Sequence, residues 1–131
     1  MKILGIDYGE KRIGLAVSDE SQTFARELAI FSPKDFWTGI YGIIKEQEIG
    51  SIVLGWPLNM SGEETKKTEE VNNFKLELIA KTGLPVESID ERLSSVMAMK
   101  MPGGSKNVDS LAAQIILQNW LNRKIDKIKY D

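Results

Sequence analysis

The sequence predicts an α/β protein built on a mixed β-sheet flanked by helices. Three observations carry this. Apolar runs rich in Ile, Leu and Val recur at 2–7, 51–55 and 86–90, each bounded by turn residues. The first three strand-like segments are too close together for crossovers, so they should form an antiparallel meander. The later strands alternate with stretches of helical period, so they should join the sheet as parallel crossovers. The 131 residues, 42% hydrophobic and 27% charged, suit one domain over 1–131 with a core of its own.

Lys2–Asp7 reads as a buried central strand, because Ile3, Leu4 and Ile6 occupy both faces. Tyr8-Gly9-Glu10-Lys11 is a turn, and Arg12–Ser18 is the returning strand. A third strand is expected over Thr23–Phe31. Ser32-Pro33-Lys34-Asp35 starts a helix: Ser32 caps, Pro33 suits the first helical position and Asp35 favours the positive end. Phe36, Ile40, Ile43 and Ile44 trace its inner face, and Gly50 is expected to end it. Ser51–Gly55 is a short strand stopped by Pro57. Ser61-Gly62-Glu63-Glu64 fits a capping box, followed by a helix to Thr82 with Val71, Phe74, Leu78 and Ile79 inward. Gly83 terminates it, and Val86–Asp90 is the last strand. Arg92–Met101 reads as helical, Pro102-Gly103-Gly104 as a break, and Asn107–Lys124 as the final helix.

Composition narrows the chemistry. There is no cysteine and no histidine, which excludes disulfides, thiolate sites, His-ligated zinc and every Ser-His or Cys-His mechanism. What remains runs on carboxylates, Lys, Tyr, Ser/Thr or a metal held by oxygen. The net charge is −2, but it is uneven. Residues 1–91 carry 10 basic and 16 acidic side chains, and residues 92–131 carry 7 and 3. The basic final third suits a polyanion or a solvated helix face. No apolar run approaches ~20 residues, so no membrane span is expected. No targeting segment is recognisable, so a cytoplasmic location is expected.

Ligands of open α/β sheets bind beyond the carboxyl ends of strands. Asp7 ends the first strand and Glu91 follows the last, so parallel strands bring both to one edge. Asp90 competes with Glu91, since a slip of one residue swaps their faces. On a wheel of roughly 100° per residue with Val108 at zero, Ala112, Ile116, Trp120 and Ala113 span roughly 40–140°. Asp109 falls inside that apolar arc at about 100°, while Ser110, Gln114 and Gln118 lie on the far side. Three converging carboxylates repel unless a divalent cation joins them. Oxygen donors suit Mg²⁺ or Mn²⁺, and two ions ~3.5–4 Å apart can activate a water and stabilise a leaving oxygen. Each acid also has a plainer reading. Asp7 can accept turn N–H groups. Glu91 can pair with Arg92 or Arg12 at the surface, and Asp109 can complement a helix dipole. Gly5-Ile6-Asp7-Tyr8-Gly9 also resembles the first phosphate-binding hairpin of actin-like and sugar-kinase ATPases, but those need two lobes and far more chain.

Four ordered motifs resemble the YqgF (RuvX) family over essentially the whole chain. They are Asp7-Tyr8-Gly9 with Arg12–Ser18, Gly55–Gly62, Asp90–Ser95, and Asp109 with Ala112–Gln118. The resemblance implies an RNase H-like fold and a nuclease acting in maturation of the 5′ end of pre-16S ribosomal RNA, related to Holliday junction resolvases. It implies Asp7, Glu91 and Asp109 as catalytic and metal-binding acids, preferring Glu91 to Asp90. Arg12, Arg92 and the Pro57–Asn59 loop become candidate substrate contacts; a rigid strand-to-helix connection is the rival for the loop. One feature departs from the family pattern. The stretch Met99–Lys106, often rich in Lys and Arg, has only Lys100 and Lys106 here. A weaker electrostatic grip favours flexible RNA over branched DNA.

The expected function is therefore a Mg²⁺- or Mn²⁺-dependent endonuclease on structured RNA, with pre-ribosomal particles as partners, acting as a monomer or weak dimer. A Holliday junction resolvase is the rival of the same chemistry and would want a symmetric dimer. A non-catalytic nucleic-acid or ribosome-assembly module is the rival of a different class.

Overall fold

The computed structural model describes residues 1–59, 61–90 and 108–130. The expected helix over 92–101 and break at 102–104 lie outside these residues. Five strands form one sheet: β1 (Lys2–Tyr8), β2 (Ile13–Ser18), β3 (Ala25–Phe31), β4 (Ile49–Trp56) and β5 (Val86–Asp90). Their order is β3-β2-β1-β4-β5. β1 with β2, and β2 with β3, are antiparallel, whereas β1 with β4, and β4 with β5, are parallel. The expected meander and crossovers are both present.

Two helices cover one face of the sheet: α1 (Pro33–Glu46) and α2 (Lys66–Thr82). Phe36 and Ile40 of α1 and Val71, Phe74 and Leu78 of α2 pack on Leu4, Ile6, Leu15 and Leu54. The other face carries α3 (Val108–Tyr130), whose Ala113, Ile116, Leu117 and Leu121 meet Ile3, Ala16, Val53 and Ile89. Successive β1 residues therefore serve different layers, which is why its apolar run is continuous.

Local chemistry shifted several boundaries. Ser32 caps α1 as expected, accepting from Asp35 N–H at 3.2 Å. Gly50 does not end α1; it lies within β4. The chain turns instead at Glu48, which takes φ 54° and leads straight into Ile49. Nor does α2 start at Ser61. The Asn59 side-chain oxygen accepts the Ser61 and Glu63 N–H groups at 3.0 and 2.9 Å, diverting those donors into a turn. The helix begins after Thr65, whose N–H donates to Thr68 Oγ1 at 2.9 Å. Ile79 is 41% exposed rather than inward, because it lies roughly 80–100° off the Val71–Phe74–Leu78 stripe. Gly83 ends α2 with φ 69°, as a left-handed cap. β3 begins at Ala25, since the Asp19 carboxylate draws Thr23 N–H (2.8 Å) and Phe24 N–H (3.2 Å) into a turn.

Two glutamines of the polar stripe of α3 bind the chain leading into β3. Gln118 Oε1 accepts from Ala25 N–H at 2.8 Å, and its amide donates to Thr23 O at 3.0 Å. Gln114 donates to Ala25 O at 3.1 Å. These glutamines tie α3 to the start of β3.

Candidate functional site

β1, β4 and β5 are mutually parallel, so their carboxyl ends meet at one edge. Asp7 is the penultimate residue of β1 and is half-buried. Its orientation follows from its neighbours. Tyr8 stacks on Phe74 of α2 with ring centroids 4.5 Å apart, so Tyr8 belongs to the α1/α2 face. Strand alternation then places Asp7 on the α3 face, in line with Ile3 and Gly5. Opposite Asp7 on β2 is Gly14. On β4 the register Ile6↔Leu54 puts Gly55 level with Asp7. Neither glycine has a side chain to crowd Asp7 from the flanking strands.

The same register fixes the face that Asp90 takes. Ile89 packs in the α3 layer. Ser88 lies on the other face, where its hydroxyl accepts from Lys75 of α2 at 3.0 Å. Asp90, paired with Trp56, shares the Ser88 face and is therefore on the opposite side of the sheet from Asp7. Glu91 and Arg92 lie outside the described residues.

Residue 109 belongs to the first turn of α3. The helix runs antiparallel to β1, as its contacts with the sheet show. Going from Gln22 to Ala25 on the chain leading into β3, the partners move from Lys124 back to Gln114. β3 and β1 run the same way, since each is antiparallel to β2. The N-terminal end of α3 thus reaches the Asp7 end of β1. The approach is close: a Cβ at Gly5 would stand 2.7 Å from Leu117 Cβ and 3.2 Å from the Ala113 carbonyl oxygen. Position 109 is one turn before Ala113, on the same helical stripe.

The remaining sequence-predicted residues frame this edge. Arg12 is exposed at the end of the β1–β2 turn. That turn is tight, since a Cβ at Gly9 would meet the Arg12 carbonyl oxygen at 2.6 Å. Pro57 is buried, and its carbonyl accepts from the Thr68 hydroxyl, which ties the loop after β4 to the first turn of α2. Asn59 is exposed, but its side-chain oxygen is engaged by the loop backbone. Burial, followed by the charges of Glu70, Glu10 and Glu77, pushes the Tyr8 hydroxyl above its ordinary value, so it stays protonated at neutral pH. Among the described residues, no three carboxylates gather into a metal site; Glu91 and the Asp109 side chain are not among them. Sequence reasoning missed Tyr8 as the residue that sets the facing of Asp7, and Gly5 as the seat of α3. The alternation Gly5-Ile6-Asp7-Tyr8 carried both signals, because the small and polar members share one face.

Comparison with known proteins agrees with this arrangement. The family model described as "RuvX: Holliday junction resolvase" matches residues 1–123. A Maridesulfovibrio salexigens protein named "Putative pre-16S rRNA nuclease" is 42% identical, over 94% of this chain and 99% of its own. A protein of the same name from Mycoplasma mobile is 38% identical, over 100% and 99%. Among solved structures, T. thermophilus RuvC in complex with a Holliday junction substrate gives a TM-score of 0.62 at 14% identity, covering 95% of this chain and 96% of that one. The fowlpox virus Holliday junction resolvase gives 0.53 at 13%, covering 94% and 99%. At such identities the structural likeness establishes the fold, which is the RNase H-like arrangement of RuvC-type resolvases.

Proposed function

The chain belongs to the RuvX family, and from that premise we propose that it is a divalent-metal-dependent endonuclease whose substrate is structured RNA at the 5′ end of a 16S ribosomal RNA precursor. The observation that carries the reading is the position of Asp7. It lies next to last in the central strand, faces the α3 layer and is flanked in its row by Gly14 and Gly55. Relatives at 38–42% identity over nearly their whole length bear the name of such a nuclease, which supports the choice of substrate.

In this reading Asp7, Glu91 and Asp109 are the catalytic acids. Asp90 sits on the opposite face of the sheet from Asp7, which supports Glu91 over Asp90 as the second acid. β1 and β5 are two strands apart in the sheet, roughly 10 Å. The donor set is oxygen only, which suits Mg²⁺ or Mn²⁺. Such ions, when bound, would activate the attacking water and stabilise the leaving oxygen. The chain's own part is to hold the acids. Tyr8 locks the end of β1, Gly5 seats α3, and the Thr68–Pro57 bond stiffens the loop after β4. Arg12 and Arg92 are proposed to meet substrate phosphates.

Branched DNA is the second reading, favoured by the family description and by the likeness to RuvC bound to a junction. The test incubates purified protein with an RNA spanning a ribosomal precursor 5′ end and, separately, with a four-way DNA junction, in Mg²⁺, Mn²⁺ or EDTA. Metal-dependent RNA cleavage is expected. Cleavage of the junction alone would reassign the substrate, and cleavage of neither would leave a binding module.

A further inference from the structure

The chain has three adjacent basic pairs: Lys11-Arg12, Lys66-Lys67 and Arg123-Lys124. The fold brings the first two, far apart in sequence, to the same sheet edge. Between the β1–β2 turn and the first turn of α2 lies a cleft of about 480 Å³, lined by Gly9, Glu10, Lys11, Lys66, Lys67 and Glu70. The Tyr8–Phe74 stack, at 4.5 Å, fastens these two elements together.

Lys11, Lys66 and Lys67 are all exposed. Among the described residues, none of their ammonium groups has a hydrogen-bond or ion-pair partner, although Glu10 and Glu70 line the same cleft. This is unusual in a stretch, 1–91, where acids outnumber bases 16 to 10. Three unneutralised lysines from two elements, at the edge that carries Asp7, suit a ligand bearing several negative charges along a line.

We propose that this cleft seats the single-stranded backbone of the RNA substrate, with Lys11, Lys66 and Lys67 each meeting a phosphate. The proposal rests on the nuclease reading, because it takes RNA as the substrate. Asp7 lies on the α3 face and the cleft on the α2 side. A strand cut at Asp7 would cross the sheet edge past the β1–β2 turn and continue into the cleft. The lysines thus supply a grip that the stretch before Asp109, with only Lys100 and Lys106, supplies weakly. Glu10 and Glu70 moderate that grip, which allows product to leave.

The test measures binding of a fluorescent single-stranded RNA across a salt series, alongside hydrolysis of bis(p-nitrophenyl) phosphate, a phosphodiester too small to reach the cleft from the acids. For Lys11→Ala/Lys66→Ala/Lys67→Ala, the slope of log K against log salt should become shallower by about 2, roughly 0.7 for each phosphate that a lysine no longer neutralises. Its small-phosphodiester hydrolysis should equal wild type. Glu10→Gln/Glu70→Gln should bind RNA more tightly. A control, Lys34→Ala/Lys45→Ala, should leave the slope near wild type. An unchanged slope in the triple variant, or an equal change in the control, would overturn the proposal. If wild type binds RNA with the expected slope but hydrolyses neither substrate, the cleft stands as a binding site and the nuclease reading fails.

Discussion

Gly5→Ala is the substitution that most directly connects packing to the site. The added methyl would stand 2.7 Å from Leu117 Cβ and 3.2 Å from the Ala113 carbonyl oxygen. Carbon atoms rest at about 3.5–4.0 Å, so α3 and β1 must part by roughly 1 Å. One obstacle is a helix carbonyl, which no rotamer change can move aside. Overpacking of this kind costs about 1–3 kcal/mol. Alanine recovers about 0.5–1 kcal/mol of that, because glycine is intrinsically poor in a strand. The net loss, about 1 kcal/mol at mid-range, should lower Tm by roughly 3–5 °C in a chain of this length. The consequence for function is larger. α3 carries Asp109 in the turn preceding the contact, and a displacement of about 1 Å at a reacting centre can cost about 100-fold in rate. Thermal melts and metal-dependent RNA cleavage, the latter far below Tm, check both parts. An unchanged Tm would refute the close seating of α3 on β1. A lowered Tm with full activity would refute the claim that this seating sets the spacing of the acids.

Asn59→Ala removes the acceptor for the Ser61 and Glu63 N–H groups, so the loop after β4 should loosen, with a stability loss of about 1 kcal/mol and faster proteolytic nicking there. A loss of cleavage with unchanged stability and nicking would instead assign Asn59 to substrate contact. Asp19 has its carboxyl held below its ordinary value near 3.8, first by the Thr23 N–H. A depressed carboxylate stabilises the fold above its unfolded value and loses that effect as pH falls through the folded one. Asp19→Ala should therefore melt below wild type at neutral pH, and the difference should shrink as the pH drops below about 3.8; a constant difference in melts across pH would contradict this.

Much of the fold was legible because its signals are local. The meander, the crossovers, the Ser32-Pro33 helix start and the Gly83 stop each depend on residues within one turn of each other. Asp7 was legible for the same reason, as a carboxylate closing an apolar strand. What sequence hid depends on partners far along the chain. Ser61–Glu64 has the look of a cap, but the Asn59 side chain takes its donors first. Gln114 and Gln118 look solvated until β3 arrives beside them. Asp90 and Glu91 are equivalent in a periodic pattern. Only Ser88 on Lys75, and Ile89 against α3, show which face Asp90 takes. The lysine cleft is a product of topology alone, since its walls come from a hairpin turn and a distant helix.

The most direct test of the central claim compares Asp7→Asn with Asp90→Asn in metal-dependent cleavage of the precursor RNA. Both substitutions remove a charge at the same sheet edge with little change in shape, but on opposite faces. The expected result is that Asp7→Asn abolishes cleavage while melting like wild type, and that Asp90→Asn cleaves within a few-fold of wild type. Full activity in Asp7→Asn, or loss in Asp90→Asn matching that in Asp7→Asn, would contradict a site built on the α3 face.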